Sequence, residues 1–220
     1  MKIRFFNGRI LPLDGTTPLF TGELVVDGGK IVSLGEKSAD IGPFDREIDC
    51  NGNLLMPGFK NAHTHSGMTF LRSLADDLPL QRWLTEQVFP KEAQLTPENV
   101  YVLTKLAILE YLTSGITAMF DMYFARDSIA QAAIDTGFRA CLVGCANDYG
   151  GTAEETVQEY ERFSKLHPRI AYQLGFHGEY TTSYPLLKDL SDMVHSLKLP
   201  FYTHLNETAE EVESCVKHSG

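Results

Sequence analysis

The chain has 220 residues, 43% hydrophobic and 22% charged, so it carries ample apolar material for a packed core and is too apolar for a disordered polymer. Its formal net charge of -10 at pH 7 argues against a nucleic-acid partner, which needs a basic face to displace counterions. No run approaches the roughly 18 apolar residues of a membrane span, Met1–Pro12 lacks the apolar stretch of a secretory leader, and sparse cysteines without a Cys-x-x-Cys pair suit a reducing cytoplasm.

The first 56 residues read as short strands and tight turns. Lys2–Phe6, Glu23–Val26 and Lys30–Leu34 are the strands, and Gly28-Gly29 joins the last two as a two-residue hairpin loop. A small antiparallel β unit is expected. From Leu54 onward strands alternate with amphipathic helices, the pattern of a parallel α/β domain, and the domain boundary is set between units 1–56 and 57–220.

Within the second unit the first strand is read at Leu54–Asn61, leading into His63-Thr64-His65. A loop with a short helix follows. Thr96 as cap and Pro97 at the first helical position start a long helix that Gly115 closes. Ile116–Phe120 is the second strand; a helix over Ser128–Thr136, ended by Gly137, leads to the third, Ala140–Cys145. A charged helix from Thr152 to about Leu166 precedes the fourth, Ile170–Phe176, which delivers His177. Helix Leu186–Leu197 precedes the fifth, Pro200–His204, and Thr208 with Glu211 forms the capping box of one more helix. A closed eight-stranded β/α barrel needs roughly 250 residues, and about 165 remain here, enough for five units. Taken as complete, that count suits an open doubly wound sheet; taken as a fragment, it leaves three barrel units to be supplied.

Chemistry concentrates at the strand ends. Alternate residues of a strand point the same way, so the imidazoles of His63 and His65 converge on one point, and neutral imidazole is the commonest metal ligand. An isolated pair of this kind is more often two hydrogen-bonding loop residues. Here, however, His177 and His204 end the fourth and fifth strands, so four histidines collect where active sites of α/β proteins form. His167, His195 and His218 lie near helix ends and suit capping or surface roles. Glu207, three residues past His204, is placed either to move a proton at a metal site or simply to complement a helix dipole.

The run Pro57-Gly58-Phe59-Lys60-Asn61-Ala62-His63-Thr64-His65-Ser66-Gly67-Met68, followed by Arg72, Ala75-Asp76-Asp77-Leu78-Pro79-Leu80 and Trp83-Leu84, resembles the N-terminal signature of the amidohydrolase superfamily. The similarity is to the methylthioadenosine and S-adenosylhomocysteine deaminase group with its chlorohydrolase relatives. Ser114-Gly115-Ile116-Thr117, Phe120-Asp121-Met122-Tyr123, His177-Gly178-Glu179-Tyr180-Thr181 and Thr203-His204-Leu205-Asn206-Glu207-Thr208 continue it nearly end to end.

This resemblance implies an α/β fold: a TIM barrel of the amidohydrolase type, incomplete at about five β/α units, with an N-terminal part of a small β-sandwich. It implies that His63, His65 and His204 hold one divalent metal, Zn²⁺ first with Fe²⁺, Ni²⁺ or Co²⁺ as alternatives, and that Glu207 is the acid/base of a hydrolytic deamination. His177 matches a contact to the purine ring, Glu92 a carboxylate for the ribose hydroxyls, and Trp83 an aromatic wall. Strand four carries no lysine to bridge a second metal, which favours a mononuclear site. Two departures stand out: Glu179 occupies a position where the group has Pro, and the group's histidine after strand six and aspartate after strand eight have no counterpart before Gly220, so the chain alone is expected to be inactive. The expected substrate is an amino-purine nucleoside or related aminated heterocycle. The competing readings are guanine or pterin deamination, triazine dechlorination, or a non-catalytic metal-binding fragment. Open apolar barrel edges would invite a second copy or a complementary C-terminal half.

Overall fold

The computed structural model describes residues 1–37, 41–74 and 76–219; Ala75 of the signature run and the side chain of His218 lie outside the described residues. The chain divides into two compact units, Met1–Gly58 and Phe59–Gly220.

In the first unit β1 (Lys2–Ile10), β2 (Phe20–Asp27) and β3 (Lys30–Gly35) form an antiparallel meander. Gly28 and Gly29 both adopt positive φ, +56° and +84°, which a two-residue turn matched to strand twist requires. The antiparallel expectation covers only these three strands. Two short strands, β4 (Arg46–Asp49), unseen in the sequence, and β5 (Leu54–Leu55), run parallel to β1 along its other edge. The expected strand Leu54–Asn61 is therefore two: Leu54–Leu55 pairs in the first sheet, and β6 (Phe59–Thr64) opens the second unit. Pro57-Gly58 lies between them, and proline, which lacks an N–H, interrupts a strand ladder.

The second unit is a curled parallel sheet in the order β10-β9-β8-β7-β6, made with β7 (Ile116–Asp121), β8 (Arg139–Val143), β9 (Ile170–Gly175) and β10 (Phe201–Tyr202). Spatial order follows chain order without reversal, so this is the arc of a barrel and the doubly wound alternative is excluded. Helices α1 (Leu80–Arg82) and α2 (Phe89–Glu92), joined through a π-helical turn at Trp83–Val88, occupy the loop after β6. Then α3 (Pro97–Thr113), α4 (Arg126–Thr136), α5 (Ala153–Phe163), α6 (Tyr184–Leu197) and α7 (Ala209–Ser219) follow β strands or close the chain. Thr96 caps α3 by accepting from Asn99 N–H, with Pro97 at the first position, and Thr152 caps α5 in a reciprocal box with Glu155. The expected box at Thr208 is only half formed. Thr208 Oγ1 accepts from Glu211 N–H, but the Glu211 carboxylate turns to the N–H of Glu207 at 2.6 Å, one residue upstream of the cap.

The core lies between sheet and helices: Met119, Ala140, Leu142, Ile170, Tyr172 and Leu174 alternate along their strands against Val100, Ile108, Ile129 and Phe163. On the concave side Gly175 lets neighbouring strands approach closely. A Cβ on Gly175 would lie 2.5 Å from the carbonyl oxygen of Tyr202 and 2.7 Å from that of Gly144, both backbone atoms. No helix among the described residues is long and apolar enough to cross a membrane. We predict that Gly175→Ala displaces β10 from β9 and lowers stability by about 1–3 kcal/mol, the usual cost of overpacking, measured by denaturant titration.

Candidate metal centre

His63 and His65 leave β6 and the turn behind it, and His204 follows β10; all three project at the same end of the sheet. One ring nitrogen from each lies within 4.8 Å of the others. The ring of His63 stands edge-on to both neighbours, with centroids 4.9 Å from His65 and 4.8 Å from His204.

Which nitrogen points inward follows from what holds the other. His65 Nδ1 lies 2.5 Å from the carbonyl oxygen of Met122, and His204 Nδ1 lies 2.7 Å from that of His177. A carbonyl only accepts, so both rings carry their proton on Nδ1. The third case needs one more step. Tyr202 Oη donates to Ala62 O at 2.7 Å, which leaves it to accept from His63 Nδ1 at 3.2 Å. In the neutral form all three Nε2 atoms therefore carry lone pairs, and those of His63 and His204 face each other at 3.2 Å. Two lone pairs at that separation repel unless a cation lies near both. This donor set of neutral imidazoles, each oriented by an outer hydrogen bond, fits a divalent metal ion.

Burial favours the neutral form of His63, His65 and His177. Desolvation lowers the pKa of His65 to about 4, with smaller opposition from its bond to Met122. His63 and His177 are also lowered, by desolvation and by His204, while the Glu207 carboxylate pulls both back up. Glu207 is thus near enough for its charge to be felt at the cluster. Its side chain accepts from Tyr180 Oη at 2.9 Å and its N–H is held by Glu211.

The remaining predicted residues lie around this centre at different removes. The His177 ring sits 5.1 Å from that of His204, and its Nδ1 lies 2.9 Å from Thr181 Oγ1, a hydroxyl that donates to Gly178 O. Trp83 and His65 line one cavity of about 360 Å³ with Met68, Leu71 and Tyr111. Glu92 stands further back: Tyr123 Oη donates to its Oε1 at 2.6 Å, and burial raises its pKa against that bond. Glu179 turns away toward α7, where its Oε1 accepts from Cys215 Sγ at 3.6 Å. His167 Nδ1 accepts from Arg169 N–H and His195 bonds the Ser191 carbonyl within its own helix, both remote from the cluster.

Tyr202, Tyr180 and Tyr123 were not anticipated. Tyr202 could have been, because it lies two residues before His204 and so shares its side of the strand. The other two stand in runs that carry the resemblance, but the carboxylates they serve, Glu92 and Glu207, come to them only through the fold.

Residues 54–220 match the Amidohydrolase family profile. The 5-methylthioadenosine/S-adenosylhomocysteine deaminase of Syntrophomonas wolfei is 37% identical over 226 residues, covering 100% of this chain and 52% of that protein. The enzyme of the same name from Thermodesulfovibrio yellowstonii is 40% identical over 216 residues, covering 90% of this chain and 48% of its own length. Among solved structures, an adenosine deaminase from Xanthomonas campestris with bound zinc superposes with a TM-score of 0.85 at 29% identity, over 100% of this chain and 52% of that one. The chain thus spans about half the length of the curated relatives it matches.

Two outcomes follow. His65 has a folded pKa of about 4 against roughly 6.5 unfolded, so between those values the unfolded chain binds more protons; the metal-free chain should lose stability as pH falls from about 6.5 toward 4, with no contribution from this group above that window. Urea midpoints at pH 7.5 and pH 5 measure it. Tyr202→Phe removes the acceptor for His63 Nδ1 and should weaken zinc binding by about 10-fold or more, read by competition with a chromogenic chelator.

Proposed function

The chain belongs to the amidohydrolase family, and from that membership we propose that it carries the metal-binding residues of a hydrolytic deaminase acting on an amino-purine nucleoside of the methylthioadenosine, S-adenosylhomocysteine or adenosine type. The observation that carries the reading is the convergence of three Nε2 lone pairs from His63, His65 and His204 beside the Glu207 carboxylate. Zn²⁺ is the proposed ion because hydrolysis at a ring carbon needs Lewis acidity and no redox change, and the Xanthomonas campestris relative holds zinc. When bound, such an ion supplies electrophilic stabilisation and lowers the pKa of a coordinated water to about 7.

The chain's own residues divide the remaining work. Glu207 is proposed to take the proton of the attacking water and return it toward the departing amine, with Tyr180 holding one carboxylate oxygen and leaving the other to act. His177, neutral and with Nδ1 engaged by Thr181, offers Nε2 to the heterocycle. Glu92 keeps one oxygen free of Tyr123 for hydroxyls of the sugar, and Trp83 supplies a flat apolar wall. Glu179, where the deaminase group has Pro, supports a second reading in which the ring differs: guanine, a pterin or a triazine. The four cysteines form no disulfide, which supports the proposed cytoplasmic setting.

The test is ammonia release from 5′-methylthioadenosine, S-adenosylhomocysteine, adenosine, guanine, a pterin and an aminated triazine by the zinc-loaded chain, alone and with the C-terminal half of the Syntrophomonas wolfei enzyme in trans. Release from the nucleosides is expected with the complement present, and Glu207→Gln should reduce it by about 10²- to 10⁴-fold. Turnover of guanine or a triazine with none of the nucleosides replaces the first reading by the second. A zinc-loaded, complemented protein that releases ammonia from nothing in the panel sinks both.

A further inference from the structure

Asp121 is the last residue of β7, fully buried on the helix side of the sheet, and among the described residues no ion pair reaches it. Nothing in the proposed chemistry uses it. A carboxylate in such a place is costly unless its oxygens are engaged. Both are engaged by one residue. Ser66 N–H donates to Oδ1 at 3.1 Å, and Ser66 Oγ donates to Oδ2. Thr104 of α3, equally buried, supplies its hydroxyl to Ser66 Oγ at 3.1 Å and completes the cluster.

Ser66 immediately follows His65, and Asp121 immediately precedes Met122, whose carbonyl accepts from His65 Nδ1. Met122 N–H in turn donates to Thr64 O at 3.1 Å. Residues 64–66 and 121–122 are thus fastened at every step. Backbone joins at Thr64, the ligand ring at His65, and the carboxylate at both donors of Ser66. The Asp121 bonds lie just past the point where the β6–β7 register becomes irregular, between Asn61 and Thr64. Ladder pairing resumes with Thr64 opposite Asp121 and ends there, and beyond that pair the bonds of His65 and Ser66 hold the chain.

We propose that Asp121 is a positioning residue for the metal centre: by gripping Ser66 it fixes the path of the chain after His65 and holds the His65 ring against Met122 with Nε2 aimed at the ion. The inference rests on the metal reading above. It makes the role of Asp121 geometric, since the residue touches neither ion nor substrate.

The experiment measures zinc affinity of the whole chain by chelator competition, and the visible d–d spectrum with Co²⁺, for wild type and four variants whose folding is followed by circular dichroism. Asp121→Ala should weaken zinc about 10- to 100-fold and alter the Co²⁺ spectrum, the usual effect of losing an outer partner of a ligand. Asp121→Asn keeps an oxygen for Ser66 N–H and should retain most of the affinity. Ser66→Ala, which loses the hydroxyl but not the N–H, should fall between and decides the matter if Asp121→Ala does not fold. Ile129→Ala, in the core of α4, should lower stability while leaving zinc affinity as it was. Wild-type affinity in folded Asp121→Ala, or in Ser66→Ala where the former misfolds, overturns the proposal. So does an equal loss in Ile129→Ala, or an Asn variant as weak as the Ala variant. A wild-type chain that takes up no zinc overturns the metal centre itself, a result distinct from the others.

Discussion

Everything at this centre depends on where three ring protons go. An imidazole offers a ligand atom only when its other nitrogen is committed, and here each Nδ1 is committed to an oxygen that the fold holds still: Met122 O, His177 O and the Tyr202 hydroxyl. These acceptors belong to the ends of neighbouring or facing strands. Their rigidity is that of the sheet, so the aim of the imidazole lone pairs is set by backbone packing.

Burial and charge act on this geometry in opposite senses. Desolvation keeps His63, His65 and His177 neutral, while the carboxylate of Glu207 favours charge on two of them. The first effect leads, which leaves the cluster ready for a cation of another kind. Tyrosines mediate much of what remains. Tyr180 donates its hydroxyl proton to Glu207 and Tyr123 to Glu92, while Tyr202 donates to Ala62 O and accepts from His63 Nδ1.

Much of the second unit was legible in the chain because its signals are local. Thr96-Pro97 and Thr152 announce helix starts through side chains that satisfy the helix's own N–H groups, and His63-x-His65 shows its convergence through strand periodicity. Signals that depend on partners distant in sequence were not legible. Arg46–Asp49 is too polar to read as a strand and becomes one by lying along β1. The apparent single strand from Leu54 conceals a change of sheet, since continuous apolar character does not reveal which neighbours a segment pairs with. Glu211 follows the spacing of a capping box yet serves Glu207, one residue away from the position that spacing names. Asp121 reads as an ordinary polar residue at a strand end until Ser66, brought from elsewhere in the chain, is found beneath it.

Tyr202 joins more than a ring and a hydroxyl. It stands on β10, one margin of the five-stranded arc, and its Oη reaches Ala62 O and His63 on β6, the opposite margin. One side chain therefore works as a strut across the concave side, and its length sets how far the two margins stand apart. Flattening or tightening the arc would stretch or crowd that strut and tilt the imidazole at its tip. Curvature of the sheet and direction of an imidazole are in this way a single mechanical variable.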